Sequence, residues 1–456
     1  MSRGDTMITI NEYKQSEMIF MTMESMVPKE SLFRKIDRMI DFTFIYDEVK
    51  DYYSENNGRP SIDPVVLFKL VFIQTLDGIK SMRKTCEKIK VDAEYRWFLG
   101  IPFGEGTPHF STFSKNYERR FKETDVFENI FLNIVNQAID YGLVGGEVFY
   151  TDSTHKKANA NKNKHNEVIV ESIKKRRKWL EKEINEERLK NGRKPFEYKD
   201  EVETKTIKQS PTDPESGYYH RNLKEKGYMY LDHRTVDDKC NIIVDCHITK
   251  GNVHDSQPFI ERIEYIKDKF DFTIKAVGLD SGYQSLDIKK YLIDEEIKGV
   301  IGYRRFGTKE SRLFKKEFKY DLENDRYIHK KTGEVIQYTG LIDRNGYKKY
   351  TNLEKDIELR RHIKEAWTEQ FNQIRLSKEG KAIYARRKET VERSFADSKQ
   401  NHGYRYAMIR GLKRNQHNTW LICAAQNMKN IALKTTKNQN KQKNKGKTTN
   451  TPLFLV

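Results

Sequence analysis

Three acidic residues occupy positions from which their carboxylates can act together. Asp152 follows an apolar run in "EVFYTDST", Asp280 follows one in "AVGLD", and Glu392 lies in the helix-like stretch "YARRKETVERSFADSK". Ligand sites of α/β sheets lie just beyond strand ends, so aspartates on two neighbouring strands would converge and attract a cation. Carboxylate oxygens select Mg²⁺ or Mn²⁺. Two such ions, about 3.5–4 Å apart, promote phosphoryl transfer.

Each acid also has a simpler explanation. Strand-end aspartates commonly form turns. Glu392 taken alone fits a charged surface helix with ordinary ion pairs. The set of three acids, rather than any single member, favours a metal site.

Basic residues accompany the acids and suggest what the metal acts upon. Lys399 lies seven residues after Glu392, hence about two helical turns along the same face. Positive side chains so close to the acids would bind the phosphates of a polyanion. The candidate phosphate-binding residues are Lys156, Lys157, Arg387, Lys388 and Lys399.

The overall charge favours a polyanionic partner. The 456 residues carry a formal net charge of +18, with a pI near 9.3, and nucleic acid is the usual partner of such a chain. A merely basic soluble protein is the alternative. The four cysteines form no C-x-x-C pair, which argues against a zinc knuckle and fits reduced thiols in the cytosol. No apolar run has the length of a membrane span, so no membrane partner is expected.

The first part of the chain, residues 1–145, is predicted to be a helical domain. Apolar residues recur at helical spacing over residues 62–79, with Pro64 near the start, where a helix tolerates proline. Several short helices with clustered lysines and arginines resemble a helix-turn-helix DNA-binding module. A helical scaffold or dimerisation domain with a basic surface is the alternative.

Residues 146–435 show a different pattern. Strand, hairpin, helix, strand, helix and strand follow one another, which predicts an α/β fold with one mixed sheet flanked by helices. Two insertions interrupt it, at about 155–225 and 305–362. The stretch "EVIVESIKKRRKWLEKEINEERLKN" in the first is predicted to be one long exposed helix, and "DRYIHKKTGEVIQY" in the second a hairpin. Residues 436–456 are basic and low in complexity, which predicts a disordered tail.

These stretches together resemble a DDE transposase of a bacterial insertion sequence, in the IS-eleven-eighty-two group. The resemblance begins at "GRPSIDPVVLFKLVFIQTLDGIKSMRKTCEKI" and continues through "TDSTHKKANANK", "DHRTVDDKCNIIVDCHITKGNVHDSQPF" and "VGLDSGYQS". It ends with "KETVERSFADSKQNHGYRYAMIRGLKRNQHNTWLICAAQNMKNI". It implies an RNase-H-like catalytic core in which Asp152, Asp280 and Glu392 are the catalytic and metal-binding acids.

Further roles follow from the same resemblance. Lys399 matches the family's lysine, which comes after six intervening residues. Arg387 lies one residue outside the family's arginine register and Lys388 occupies it, so Lys388 is expected to replace arginine as a phosphate ligand. Asp255 of "GNVHDSQ" is interpreted as a helix cap or structural residue, and Asp232 as structural or adjacent to substrate. Many relatives carry cysteine pairs before the glutamate, and this chain has none, so no structural zinc is expected.

The implied activity is DNA transposition. The enzyme would use two Mg²⁺ (or Mn²⁺) ions to cut double-stranded DNA at the terminal inverted repeats of its element. It would then transfer the 3′-hydroxyl ends to target DNA. Paired ends suggest a homodimer, and a bacterial cytoplasmic, nucleoid-associated location is expected. Two alternatives stay open: an RNase-H-like DNA nuclease without strand transfer, and a catalytically inactive DNA-binding protein.

Overall fold

The computed structural model describes residues 15–18, 20–54, 56, 60–220, 225–303, 316–352 and 357–448. The chain begins with helices and continues into a mixed sheet. The helices of the first part are α1 (Met23–Met26), α2 (Leu32–Met39), α3 (Phe44–Val49), α4 (Pro64–Leu76), α5 (Met82–Ile89), α6 (Ala93–Leu99), α7 (Thr112–Asn116) and α8 (Val126–Asp140).

Helix α4 forms where the sequence predicts a helix. Asp63 accepts hydrogen bonds from the backbone N–H groups of Val65 and Val66, which satisfies two free donors at the helix start. Pro64 occupies the first helical position, where its missing N–H costs nothing. Apolar side chains are buried on nearly all sides of α4, so it is a central helix of this region.

The central sheet is built from strands that are far apart in sequence. Strand order is β6-β5-β1-β7-β8, and β4 pairs with the end of β5 beside β6. β1, β5 and β6 are antiparallel neighbours, whereas β7 and β8 run parallel to β1. This is the predicted mixed sheet of an RNase-H-like core. Its elements are β1 (Val148–Lys157), β2 (Asn166–Ile173), α9 (Lys178–Lys190), β3 (Val202–Gln209), β4 (Gly217–Tyr219), β5 (Gly227–Asp237), β6 (Ile243–Lys250), α10 (Phe259–Phe270), β7 (Ala276–Leu279), α11 (Leu286–Asp294) and β8 (Lys298–Ile301).

A second sheet and four helices complete the chain. Strands β9 to β13 form a five-stranded antiparallel meander that includes the predicted hairpin, β10–β11. Helix α15 packs against α2, α4, α8 and β6, and so joins the helical part and the central sheet in one core. The elements are β9 (Phe318–Asp321), β10 (Arg326–His329), β11 (Val335–Ile342), β12 (Tyr347–Asn352), β13 (Ile357–His362), α12 (Glu365–Leu376), α13 (Lys378–Arg386), α14 (Val391–Asn401) and α15 (Leu412–Thr448).

Two sequence predictions about the first insertion and the first strand are corrected by the structure. The stretch predicted to be one long helix contains β2, which pairs with β3, and only its second half forms α9. Three consecutive β-branched residues, Val168 to Val170, favour that strand. The first strand does not end at Asp152 but continues to Lys157.

The end of the chain and the membrane prediction can also be compared with the structure. Helix α15 continues to Thr448, into the segment predicted to be a disordered tail, and residues 449–456 lie outside the described residues. Residues 304–315 of the second insertion are likewise outside them. Among the helices that the structure describes, none combines the length and apolar character that crossing a membrane requires.

Candidate active site

The register of two parallel strands brings Asp152 and Asp280 together. β1 and β7 pair from Val148↔Ala276 to Thr151↔Leu279, and each aspartate is the next residue on its strand. β7 ends there, because Asp280 begins a 3₁₀ turn and accepts a hydrogen bond from the Gly282 N–H at 2.7 Å. The two aspartates therefore lie side by side on neighbouring strand positions, as the sequence predicts.

Burial and the negative charges of neighbouring acids raise the pKa of both carboxyl groups. Burial raises the pKa of Asp152 to about 6, although the Arg387 guanidinium opposes this shift. The negative charges of Asp280 and Asp255 raise the pKa of Asp152 further. Burial likewise raises the pKa of Asp280, against a hydrogen bond from the Gly282 N–H. A cation placed between such carboxylates would relieve the repulsion.

Asp255 is a third acid at this point, where the sequence predicts a helix cap or a structural residue. Its Oδ1 accepts a hydrogen bond from Ser153 Oγ at 2.7 Å. A Cβ added to Gly282 would lie 2.9 Å from Asp280 Oδ1 and 3.0 Å from Asp255 Oδ2, so both oxygens border the same small space. The cap of α10 is Pro258, so Asp255 is not a helix cap. No spacing in the sequence marks Asp255, because its neighbours come from distant segments.

Arg387 lies between Asp152 and Glu392. Its Nη2 donates to Asp152 Oδ2 at 2.7 Å, and its Nη1 is 3.9 Å from Glu392 Oε1. Glu392 lies in the first turn of α14, and its side chain is 47% exposed. Within the described part of the chain, no three His, Cys, Asp or Glu side chains are gathered closely enough to hold a metal ion. The structure thus brings Asp152 and Asp280 together and links Glu392 to them through Arg387.

Two of the predicted phosphate-binding lysines line the surroundings of the acids. Lys399, on α14, donates a hydrogen bond to Thr154 Oγ1, two residues after Asp152 on β1. Lys388 borders a cavity of about 330 Å³ next to Glu392. Other residues of this cavity are Arg375, Leu376, Lys381, Tyr384, Ala385 and Arg387. Four of its lining residues are basic, and Glu392 also borders it.

The other two lysines are placed differently from what the sequence suggests. Lys156 is only 1% exposed, and its Nζ donates to Asn418 Oδ1 at 3.2 Å. Burial lowers its pKa to about 8. Side chains alternate along a strand, so Lys156 points to the same face as Asp152, which α14 covers. The burial of Lys156 does not favour the predicted contact with phosphate. Lys157 points the other way and pairs with Glu225 at 2.6 Å.

A buried arginine holds the helix that carries Glu392 and Lys399. Arg234 lies directly opposite Asp152 in the β1–β5 register. Its Nη1 donates to Ser394 Oγ at 2.7 Å and to Ser398 Oγ at 3.0 Å, and both serines belong to α14. Its Nη2 donates to Asp232 Oδ2 at 2.7 Å, so the charge is paired. Asp232 is structural, one of the two roles that the sequence leaves open.

The donor chemistry fits a divalent cation. Asp152 and Asp280 supply adjacent carboxylate oxygens, which hard cations prefer. Their raised pKa values show that the two negative charges lack sufficient compensation from the protein. Paired carboxylates on central strands of such a mixed sheet suit metal-dependent phosphoryl transfer.

Comparisons with known proteins relate the chain to transposases. A family model described as "Transposase domain (DUF772)" matches residues 21–119, and one described as "Transposase DDE domain" matches residues 345–432, which include Glu392 and Lys399. The chain is a DDE transposase, and enzymes of this family depend on divalent metal ions. No curated protein matches the chain. A cryo-EM structure of the piggyBac transposase synaptic complex with hairpin DNA is similar at 10% identity and a TM-score of 0.33, over 89% of this chain and 75% of that one.

Proposed function

We propose that this transposase cuts double-stranded DNA at the terminal inverted repeats of its own element and transfers the freed 3′-hydroxyl ends to target DNA. The observation that carries the proposal is the pair formed by Asp152 on β1 and Asp280 at the end of β7, with Glu392 linked to it through Arg387. We also propose membership of the IS-eleven-eighty-two group. The supporting evidence for the group is the order of the quoted motifs along the chain.

Asp152, Asp280 and Glu392 are the proposed ligands of two Mg²⁺ or Mn²⁺ ions. Bound there, such ions would activate an attacking oxygen and stabilise the leaving one. Arg387 compensates the carboxylate charges in the structure, because its guanidinium contacts Asp152 and approaches Glu392. Binding of the ions at all three acids requires Arg387 to give up part of this role, and its charge then becomes available to a DNA phosphate.

The remaining basic groups have proposed roles in holding DNA. Lys399 is held at the floor of the site by Thr154, close enough to the acids to meet the phosphate next to the cleaved bond. Lys388 and Arg387 border the cavity beside Glu392 and would contact the same strand. Lys157 would add affinity that depends on salt rather than on sequence.

The domains have proposed tasks as well. Residues 1–145 would bind the element ends, residues 146–435 would carry the chemistry, and residues 436–456 would add positive charge. Within the N-terminal helices, Lys115 and Arg119 are exposed and border a cavity of about 280 Å³ that suits a phosphate. Two ends must be held together during transfer, so we propose a homodimer as the active form.

The test uses purified protein, Mg²⁺ and a labelled duplex that carries an end of the element. The parent should nick the end and join it to target DNA. Asp152→Asn, Asp280→Asn and Glu392→Gln should bind the duplex but yield no product. Glu389→Gln, an exposed glutamate three residues from Glu392, is the matched control and should behave as the parent.

The outcomes separate the alternatives. Cleavage without joined products would indicate a nuclease. Binding without any product that depends on metal, by folded parent protein, would indicate a DNA-binding protein and contradict the proposal.

A further inference from the structure

The edge of β1 that faces β7 contains a gap. That edge pairs with β7 up to Thr151. At Lys157 it pairs again, with Tyr406, in an isolated parallel bridge. No other strand of the described chain pairs with it between these points. Residues 152–156, which begin with Asp152, span about 17 Å at about 3.3 Å per residue. We call this gap the β1 notch.

The far wall of the β1 notch is the segment 404–408, and backbone hydrogen bonds hold it in place. Lys157 N–H donates to Arg405 O at 3.1 Å, and Ala407 N–H donates to Lys157 O at 2.7 Å. Tyr404 and Ala407 are buried, whereas Tyr406 is 54% and Met408 53% exposed. The wall therefore presents an aromatic and a flexible apolar side chain to solvent from a fixed backbone.

A second loop braces this wall. Arg410 Nε donates to Asn159 O at 3.1 Å, and Asn159 Nδ2 donates to Met408 O at 3.4 Å. The Lys157 ammonium lies 4.9 Å from the centre of the Tyr406 ring. Tyr406 is thus exposed without being loose, which limits the entropy lost when it binds a partner.

The charge of the β1 notch is positive near this wall. Arg405 is exposed, and within the described residues no acid forms an ion pair with it. Lys399 reaches the floor of the notch at Thr154. Burial lowers the pKa of Lys399; Asp232 opposes this shift, and the positive charges of Arg234 and Arg405 add to it. Lys162 and Lys164, in the bracing loop, are also exposed.

We propose that the β1 notch holds the DNA duplex beside the cleaved bond, with Tyr406 and Met408 against the nucleotides and Arg405 on the phosphates. This inference rests on the proposed function, since it takes the acids as the point of cleavage. A strand advances about 3.4 Å per nucleotide. The wall therefore meets DNA about five nucleotides from the cleaved bond.

The chemistry of the wall favours DNA over a protein partner. An exposed aromatic ring can pack against the deoxyribose groups of a duplex while neighbouring cations bind its phosphates. The notch begins at Asp152, so a strand positioned for cleavage there can run along it. The alternative occupant is a second copy of the chain, packed on Tyr406 and Met408. Crosslinks from position 406 to protein instead of DNA would reveal it.

The first measurement is the affinity of the full chain for a duplex carrying the element end, by fluorescence anisotropy. Tyr406→Ala should weaken binding by roughly five- to a hundredfold, the range for loss of one aromatic side chain buried at an interface. Tyr406→Phe keeps the ring and should bind as the parent does. Tyr141→Ala removes a comparably exposed tyrosine at the end of α8 and should also bind as the parent does. Parental affinity of Tyr406→Ala would overturn the inference.

The second measurement locates the contact. Tyr406→p-benzoylphenylalanine should crosslink to DNA within about four to six nucleotides of the cleaved bond. Crosslinks to a second protein chain, or only to distant nucleotides, would overturn the inference. The parent's cleavage of the same duplex in Mg²⁺ separates the two claims. Cleavage without the expected crosslink refutes only the notch, and the expected crosslink without cleavage refutes only the catalytic function.

Discussion

The raised pKa of Asp152 predicts how its replacement changes stability with pH. In the protein without metal, burial raises this pKa from 3.8 to about 6. A carboxyl group whose pKa is higher in the folded state binds its proton more tightly there. Its contribution to stability is therefore fully present below about pH 4 and is lost as pH rises through about 6.

The size of the effect follows from the shift. The Asp152 side chain is only 18% exposed, so little of the effect is screened by solvent. At about 1.4 kcal/mol per unit, the shift corresponds to about 3 kcal/mol. Asp152→Asn removes this titration. The free energy of unfolding of the parent, minus that of Asp152→Asn, should therefore fall by about 3 kcal/mol between about pH 4 and pH 7.

The assay is urea unfolding in EDTA at several pH values, followed by circular dichroism and tryptophan fluorescence. Coincident transitions from the two probes justify a two-state treatment. Only the change with pH of the difference in unfolding free energy between the parent and Asp152→Asn is interpreted. A cost of leaving Arg387 without its partner that does not depend on pH therefore cancels. A difference that stays constant, or rises with pH, would refute the reasoning.

Asp397 provides a contrast within the same protein. Burial raises its pKa, but hydrogen bonds from His402, Asn401, Gln426 and Lys429 outweigh burial and leave the pKa well below its usual range. Its contribution to stability is therefore present above about pH 4 and is lost as pH falls. The parent minus Asp397→Asn difference should rise with pH, opposite to the result for Asp152.

Three further predictions concern the surroundings of the acids. Arg387→Gln should tighten the binding of Mn²⁺ by about tenfold in isothermal titration calorimetry, because a competing positive charge is removed; weaker binding would contradict the role given to Arg387. Arg234→Met should lower the free energy of unfolding by about 3–5 kcal/mol in urea, because Asp232 is left as a buried unpaired charge; a loss below about 1 kcal/mol would contradict this. Gly282→Ala should weaken Mn²⁺ binding in the same calorimetric assay, because its methyl group would lie within 3.0 Å of two carboxylate oxygens. Unchanged binding would show that the metal ion does not occupy the space beside Gly282.

The convergence of the two aspartates was predictable because it depends on local signals. Each follows an apolar run, and the two runs form neighbouring parallel strands whose register places the aspartates side by side. The length of β1 was not predictable in this way. Beyond Asp152 the strand is polar, and its pairing with β5 continues to Lys157 through partners 72 to 80 residues away in sequence. Pairing between such distant segments cannot be recognised from the local order of apolar and polar residues.

The surroundings of the acids depended on tertiary contacts that spacing does not encode. Lysine is usually a surface residue. Lys156 is nevertheless buried, because α14 and α15 cover the face to which it points. Arg387 was expected to be out of register for a phosphate contact, and the structure turns it toward Asp152 instead. Asp255 and Arg234 act through neighbours that are distant in sequence, so only the folded chain shows their positions.

The central claim is that Asp152, Asp280 and Glu392 form one site for metal-dependent strand transfer. The most direct measurement supplies the protein with an element end already cut to a 3′-hydroxyl, a supercoiled target plasmid and Mn²⁺, and counts joined products. The parent should join the end to the plasmid, and it should fail to do so in EDTA. Asp152→Asn, Asp280→Asn and Glu392→Gln should each abolish joining while retaining affinity for the end. Joining by any of the three variants at the parent's rate would contradict the assignment of that acid to the site.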